Sequence, residues 1–133
     1  MNTNGRNILV VEDDALIRFA LVDYLIDEGF HVLEAGDALT AIAVFGKADR
    51  IDAIISDIDM PGLLNGIDFV NLVARSNDTT AIVVTSGRNP EHCLGLPVGA
   101  LYLQKPYDER RIAEYLLARV QQDDDFQVRK IGA

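Results

Sequence analysis

An α/β sandwich, with a five-stranded parallel sheet between two layers of helices, is the fold the sequence predicts. Three observations carry this. Short apolar runs recur five times, and each stops at a polar residue. Stretches of helical period separate them, one of them weak, and such alternation implies right-handed βαβ crossovers onto a parallel sheet. The chain has 133 residues, 49% apolar and 25% charged, which suits one domain with an ample core. For five such strands the flavodoxin-like order 2-1-3-4-5 is the natural arrangement, giving a three-layer sandwich.

Taken in order, Ile8-Leu9-Val10-Val11 is the first buried strand, and it stops at Glu12-Asp13-Asp14. From Ala15 to Glu28 the period is helical, with Ile17, Leu21, Tyr24 and Leu25 on one face and Leu16 and Ala20 widening it. Asp14 is placed to cap this helix and Gly29 to end it. His31 to Ala35 is a second strand, less apolar and so expected at an edge. Asp37 caps a helix from Ala38 to about Lys47. Ile51 to Ser56 is the central strand, its apolar run ending in Asp57 and then a Pro61-Gly62 turn. Asn65 or Gly66 opens a helix to about Arg75, with Phe69, Leu72 and Val73 inward. Ala81 to Val84 is the fourth strand, ending in Thr85-Ser86-Gly87. Pro90, Gly95 and Pro97 then leave room for barely one helical turn, so the fourth helix is short or missing. Ala100 to Leu103 is the fifth strand, ending in Gln104-Lys105-Pro106. Asp108 caps a last helix with Ile112, Tyr115, Leu116 and Val120 on one face. The domain is expected over residues 1–121, with a C-terminal tail over 122–133 that frays.

Composition excludes several classes. The net charge of −9 argues against a nucleic-acid surface, which would be basic, and against attraction to anionic lipid. A single cysteine, Cys93, permits no internal disulfide, the opening residues lack the apolar core of a signal peptide, and no run approaches a membrane span. The expected compartment is the cytoplasm. His31 and His92 fit no metal-ligand spacing.

A strand-terminating aspartate is ordinary by itself, since aspartate is common in turns. The other strand ends decide its meaning. In the order 2-1-3-4-5, the carboxyl ends of strands 1, 3, 4 and 5 lie side by side, the edge at which open α/β sheets bind ligands. They carry Glu12-Asp13-Asp14, Asp57, Thr85-Ser86 and Lys105. Clustered carboxylates repel unless a cation joins them, and hard oxygen ligands with room for water suit Mg²⁺. A lysine charge and a hydroxyl suit phosphoryl oxygens. The set therefore reads as phosphoryl chemistry on a carboxylate, with Asp57 as the nucleophile.

These residues resemble the receiver domain of two-component response regulators. The marks are Val10-Val11-Glu12-Asp13-Asp14, Asp57-Ile58-Asp59-Met60-Pro61-Gly62, Val83-Val84-Thr85-Ser86-Gly87, Gly99-Ala100, and Tyr102-Leu103-Gln104-Lys105-Pro106-Tyr107, over about Ile8 to Val120. The resemblance implies that Asp57 accepts a phosphoryl group from a histidine kinase or a histidine phosphotransferase. It implies Mg²⁺ held by Asp13 and Asp57 directly, by Glu12 through water, and by the backbone carbonyl of Asp59. Thr85 would bond the phosphoryl group, Lys105 would pair with it, and Tyr102 would be the switch whose rotamer follows Thr85. The Lys105-Pro106 bond would be cis. Partner docking would use roughly Ala15 to Phe19 and Pro106-Tyr107, and a downstream protein target is implied. Such a domain catalyses only its own phosphorylation and dephosphorylation.

The chain departs from the family pattern in places. One extra residue lies between Pro61-Gly62 and Gly66, where Leu63 and Leu64 are apolar and exposure of both would mark a contact surface. The weak fourth helix puts a dimer through that face in doubt, so the unphosphorylated protein is expected to be a monomer. Asp59 and Gly87 stand where the family gates the attacking water. Asp14 reads as a cap rather than a ligand, and Ser86 as a turn residue rather than a second phosphoryl donor. The tail after Val120 leaves no room for a DNA-binding domain, so a stand-alone receiver, or one cut from a longer chain, is expected. Two rivals stand beside this reading. A haloacid-dehalogenase-like phosphatase also uses an Asp-x-Asp strand end, as in Asp57-Ile58-Asp59, but places its acidic pair after the nucleophile. A pseudo-receiver would bind partners without accepting phosphate, which the presence of Glu12, Asp13, Asp57, Thr85 and Lys105 together argues against.

Overall fold

The structure is a computed structural model, and it describes residues 6–77, 79–89, 91 and 95–119. Five strands, β1 (Asn7–Val11), β2 (His31–Ala35), β3 (Ala53–Asp57), β4 (Ala81–Ser86) and β5 (Leu101–Gln104), form one parallel sheet in the order β2-β1-β3-β4-β5. Helices α1 (Ala15–Asp27), α2 (Ala38–Lys47) and α3 (Gly66–Ser76) connect the first four strands, and a C-terminal helix covers residues 109–119. The fourth helix, between β4 and β5, is short, with Glu91 in 3₁₀ conformation among the described residues. This is the flavodoxin-like topology that the pattern of apolar runs predicts.

Alternate residues of the buried strands feed two cores, as the period of two requires. Ile8, Val10, Ile55, Val83 and Leu103 pack with Leu21 and Leu25 of α1 and with Ile112 and Leu116 of the C-terminal helix. Leu9, Val11, Ile54 and Val84 face the opposite way, onto Ala41 of α2 and Phe69, Val70 and Val73 of α3. Each such large side chain taken fully from water contributes about 1.5–3 kcal/mol before chain entropy is subtracted.

Local chemistry sets the element ends. Asp14 Oδ1 accepts from the backbone N–H groups of Leu16 and Ile17, and Gly29, at φ 97°, lets the chain leave α1. Asp37 caps α2 through the Thr40 N–H, and Asn65 with Asp68 closes a reciprocal capping box on α3. Asp108 Oδ1 accepts from the Arg110 N–H at the start of the C-terminal helix. The predicted role of Val120, the tail, His92 and Cys93 lie outside the described residues.

Three expectations need correction. Leu16 and Ala20 do not widen the buried face of α1. Leu16 is 81% exposed and Ala20 is exposed, and Val22 is buried in their place. Apolar residues lie nearly all round this helix, so periodicity could not say to which side the stripe extends. The third strand begins at Ala53 rather than Ile51, because Asp52 turns a corner there: its carboxylate accepts from the Asn7 N–H at 2.8 Å and from Arg50 Nε at 2.6 Å. In α3 the buried set is Phe69, Val70 and Val73, with Leu72 half-buried.

Candidate functional site

The ladder aligns the strand ends at one edge. Asp57 pairs in register with Thr85, and Ser86 with Gln104. Asp57 is the last residue of β3, Glu12 and Asp13 follow β1 directly, and Lys105 follows β5. Backbone bonds extend the ladder into the loops. The Glu12 N–H donates to the Ala35 carbonyl, the Ile58 N–H to Thr85, and the Lys105 N–H to Ser86 at 2.7 Å. The Lys105-Pro106 bond is cis. Arg18 Nη1 donates to the Glu12 carbonyl at 2.7 Å and its Nε to Glu34, which ties the acidic loop to α1 and β2.

The predicted side chains converge there. Carboxylate oxygens of Glu12, Asp13 and Asp57 all lie within 4.8 Å of one another. Lys105 Nζ is 2.6 Å from Glu12 Oε1 and 3.3 Å from Asp57 Oδ2. Glu12 and Asp57 are only 3% and 2% exposed, whereas Asp13 is open to solvent. Two of the three carboxylates thus share one ammonium, with the third beside them. Burial, then the neighbouring Asp57, pushes the Glu12 carboxyl up to about 7 although Lys105 hydrogen-bonds it. Burial alone would lower the pKa of Lys105, but Glu12 and Asp57 outweigh it and raise it. The donor set is all hard oxygen, partly solvated and short of positive charge, which fits a divalent cation. Tyr107 packs against the core beside this pocket, and burial, followed by the charges of Glu12, Glu109 and Asp57, raises its phenol pKa.

Thr85 is buried beside Asp57, and Tyr102 is half-buried against the second core, with its hydroxyl donating to the Arg88 carbonyl. The Asp59 N–H donates to Asp57 Oδ1 at 3.0 Å. The Asp59 side chain turns to the loop after β4. Its Oδ2 accepts from Ser86 Oγ and from the Gly87 N–H at 3.3 Å, and its Oδ1 from Arg88 Nη2 at 2.6 Å. Ser86 is therefore not a plain turn residue but the last residue of β4. It is fully buried and bonds Asp59. Arg88 was not legible in the sequence, where no motif marks it. Leu63 is fully exposed as expected, while Leu64 packs against the second core. A cleft of about 600 Å³ between Ala100-Leu101 and Arg111-Tyr115 contains none of the predicted site residues.

The response regulator receiver domain family model matches residues 8–117. The chain belongs to this family. Among curated proteins, the transcriptional regulatory protein CpxR of Klebsiella pneumoniae is 36% identical over 113 residues, covering 84% of this chain and 47% of that protein. The DNA-binding response regulator MtrA of Mycobacterium bovis is 31% identical, covering 94% of this chain and 55% of that protein. The receiver chain thus spans about half the length of these relatives. Among solved structures, the Vibrio cholerae chemotaxis protein CheY4 shares 33% identity with a TM-score of 0.74, covering 85% of this chain and 97% of that one. A receiver domain protein from Clostridium thermocellum, 23% identical, superposes with a TM-score of 0.79 over 91% of this chain and 98% of that one, which shows the fold. Among the described residues no helix is long and apolar enough to cross a membrane.

Proposed function

We propose that this receiver domain accepts a phosphoryl group on Asp57 from a histidine kinase or histidine phosphotransferase and thereby switches its affinity for a downstream protein. The observation that carries the reading is the convergence of Glu12, Asp13 and Asp57, with Lys105 Nζ bridging Glu12 and Asp57. Mg²⁺ bound by Asp13, Asp57, the Asp59 carbonyl and, through water, Glu12 would neutralise the charge on the transferring group. An Asp57 oxygen attacks the phosphorus of the phosphohistidine, the P–N bond breaks, and the electron pair leaves with the imidazole. Lys105, already within reach of Asp57, moves to the phosphoryl oxygens. Thr85, beside Asp57 in the register, closes on the new group, and Tyr102 follows. The phosphoryl group, with about −1.5 to −2 charge, biases two pre-existing states through a few charge-assisted contacts. The domain is read as residues 1–121, cytoplasmic, monomeric when unphosphorylated and without nucleic-acid or membrane contacts of its own, and its only catalysis is of its own phosphorylation and dephosphorylation.

The test is transfer from a labelled phosphohistidine protein. Label should move to the wild type and not to Asp57→Asn, and a generic phosphomonoester should show no multiple turnover. Repeated turnover would favour the phosphatase, and no transfer at all the pseudo-receiver.

The metal carries its own expected result. Saturating Mg²⁺ should raise the melting temperature, since a ligand at a hundred times its Kd stabilises by about 2.7 kcal/mol. Asp13→Asn should lose most of that increment in a thermal melt. An undiminished increment would remove Asp13 from the site.

A further inference from the structure

Asp59 is a fourth carboxylate at the edge of the acidic pocket, two residues beyond Asp57 and bonded to it through its own N–H. It is absent from the converging set of Glu12, Asp13 and Asp57. The reason is visible in its partners. Three consecutive residues, the last of β4 and the two that follow it, engage both its oxygens: the Ser86 hydroxyl and the Gly87 N–H on one, the Arg88 guanidinium on the other. Ser86 Oγ in turn accepts from the Arg88 N–H at 3.0 Å, so the three donors are held in a fixed order. Burial would raise the Asp59 pKa, but the Ser86 and Arg88 hydrogen bonds outweigh it and lower it. The Arg88 side chain is 52% exposed and that of Asp59 33%. An ion pair this exposed adds little to stability, so its consequence lies in where it holds the carboxylate.

We propose that Ser86 and Arg88 form a clamp that keeps the Asp59 carboxylate off the cation and so preserves an open coordination position for the phosphoryl oxygen. The inference rests on the functional reading above. Magnesium prefers six ligands in near-octahedral geometry and, in phosphoryl-transfer sites, combines one or two carboxylates with waters and phosphate oxygens. A further carboxylate would tighten metal binding while filling a position that the phosphoryl group needs. Arg88 and Ser86 are thus positioning residues, acting through Asp59.

Two measurements on the full chain test the clamp: Mg²⁺ affinity by calorimetry, and the rate of phosphoryl uptake from a small acyl phosphate. Arg88→Ala is expected to bind Mg²⁺ several-fold more tightly and to take up phosphoryl several-fold more slowly, a divergence that a merely destabilised fold would not give. Ser86→Ala removes a donor without changing charge and should shift both quantities the same way by less. Arg88→Lys should restore part of each. Arg88→Ala combined with Asp59→Asn should return both close to wild type. Unchanged or weaker Mg²⁺ binding by Arg88→Ala would overturn the clamp, as would tightening that persists undiminished in the double variant. A wild type that binds no Mg²⁺ would defeat the functional reading and the clamp with it, whereas a wild type that binds while the variants do not differ defeats the clamp alone.

Discussion

Gly66→Ala is expected to destabilise the domain by about 3 kcal/mol or more and to displace Asp57. A Cβ at Gly66 would stand 2.1 Å from the Asp57 carbonyl oxygen, 2.5 Å from Ile58 Cα and 2.8 Å from the Asp57 carbonyl carbon. All three are backbone atoms, so no rotamer change relieves the overlap. Either α3 moves off the sheet or the end of β3 bends. Overpacking a core typically costs about 1–3 kcal/mol, occasionally more, and backbone against backbone belongs at the upper end. Alanine's better helix propensity, about 0.8–1.0 kcal/mol over glycine, opposes the clash and is too small to win. In a thermal melt the loss should appear as a fall of about 10 °C or more, accompanied by weaker Mg²⁺ binding. Melting at the wild-type temperature would show that α3 does not approach β3 this closely.

Lys105→Met is the second large effect, and its size should depend on pH. Methionine keeps most of the unbranched apolar stem but leaves Glu12 and Asp57, both nearly inaccessible, without their shared cation. Removing one partner of a buried ion pair costs about 3–5 kcal/mol. Here the cost is expected near the lower figure, because the Lys105 side chain is 20% exposed and Glu12 can take up a proton. Glu12 already sits at about 7 in the folded protein against an ordinary 4.5. Its folded state therefore binds more proton than its unfolded state between those values, and stability falls as pH rises through that window. Loss of the Lys105 hydrogen bond, which lowers the Glu12 pKa, moves the upper limit of the window higher. In metal-free buffer the variant should be closer to wild type at pH 5.5 than at pH 8, as urea titrations at the two values will show. A deficit that is equal at both, or larger at the acidic value, would contradict the placement of Glu12.

Much of this site was legible because strand ends are. Apolar runs that stop at Glu12, Asp57, Thr85 and Lys105 name both the strands and the groups that project from them, and the parallel order brings those groups together without further information. Caps were legible for the same local reason: Asp14, Asp37 and Asp108 each answer nearby backbone donors within their own turn. Interactions that depend on how two loops meet were not. Asp59 and Arg88 are 29 residues apart, and nothing in either neighbourhood announces the other. The approach of Gly66 to Asp57 is hidden similarly, since a glycine at a helix start reads as a turn residue until the strand beneath it is placed. The burial of Val22 rather than Leu16 was decided by the sheet, which only the tertiary structure supplies.

The central claim is that Asp57 is the phosphoryl acceptor, and intact mass after incubation with Mg²⁺ and a small acyl phosphate tests it most directly. The wild type should gain the mass of one phosphoryl group, the gain should require Mg²⁺, and Asp57→Asn should gain nothing. No gain by the wild type, or an equal gain by Asp57→Asn, would contradict the account.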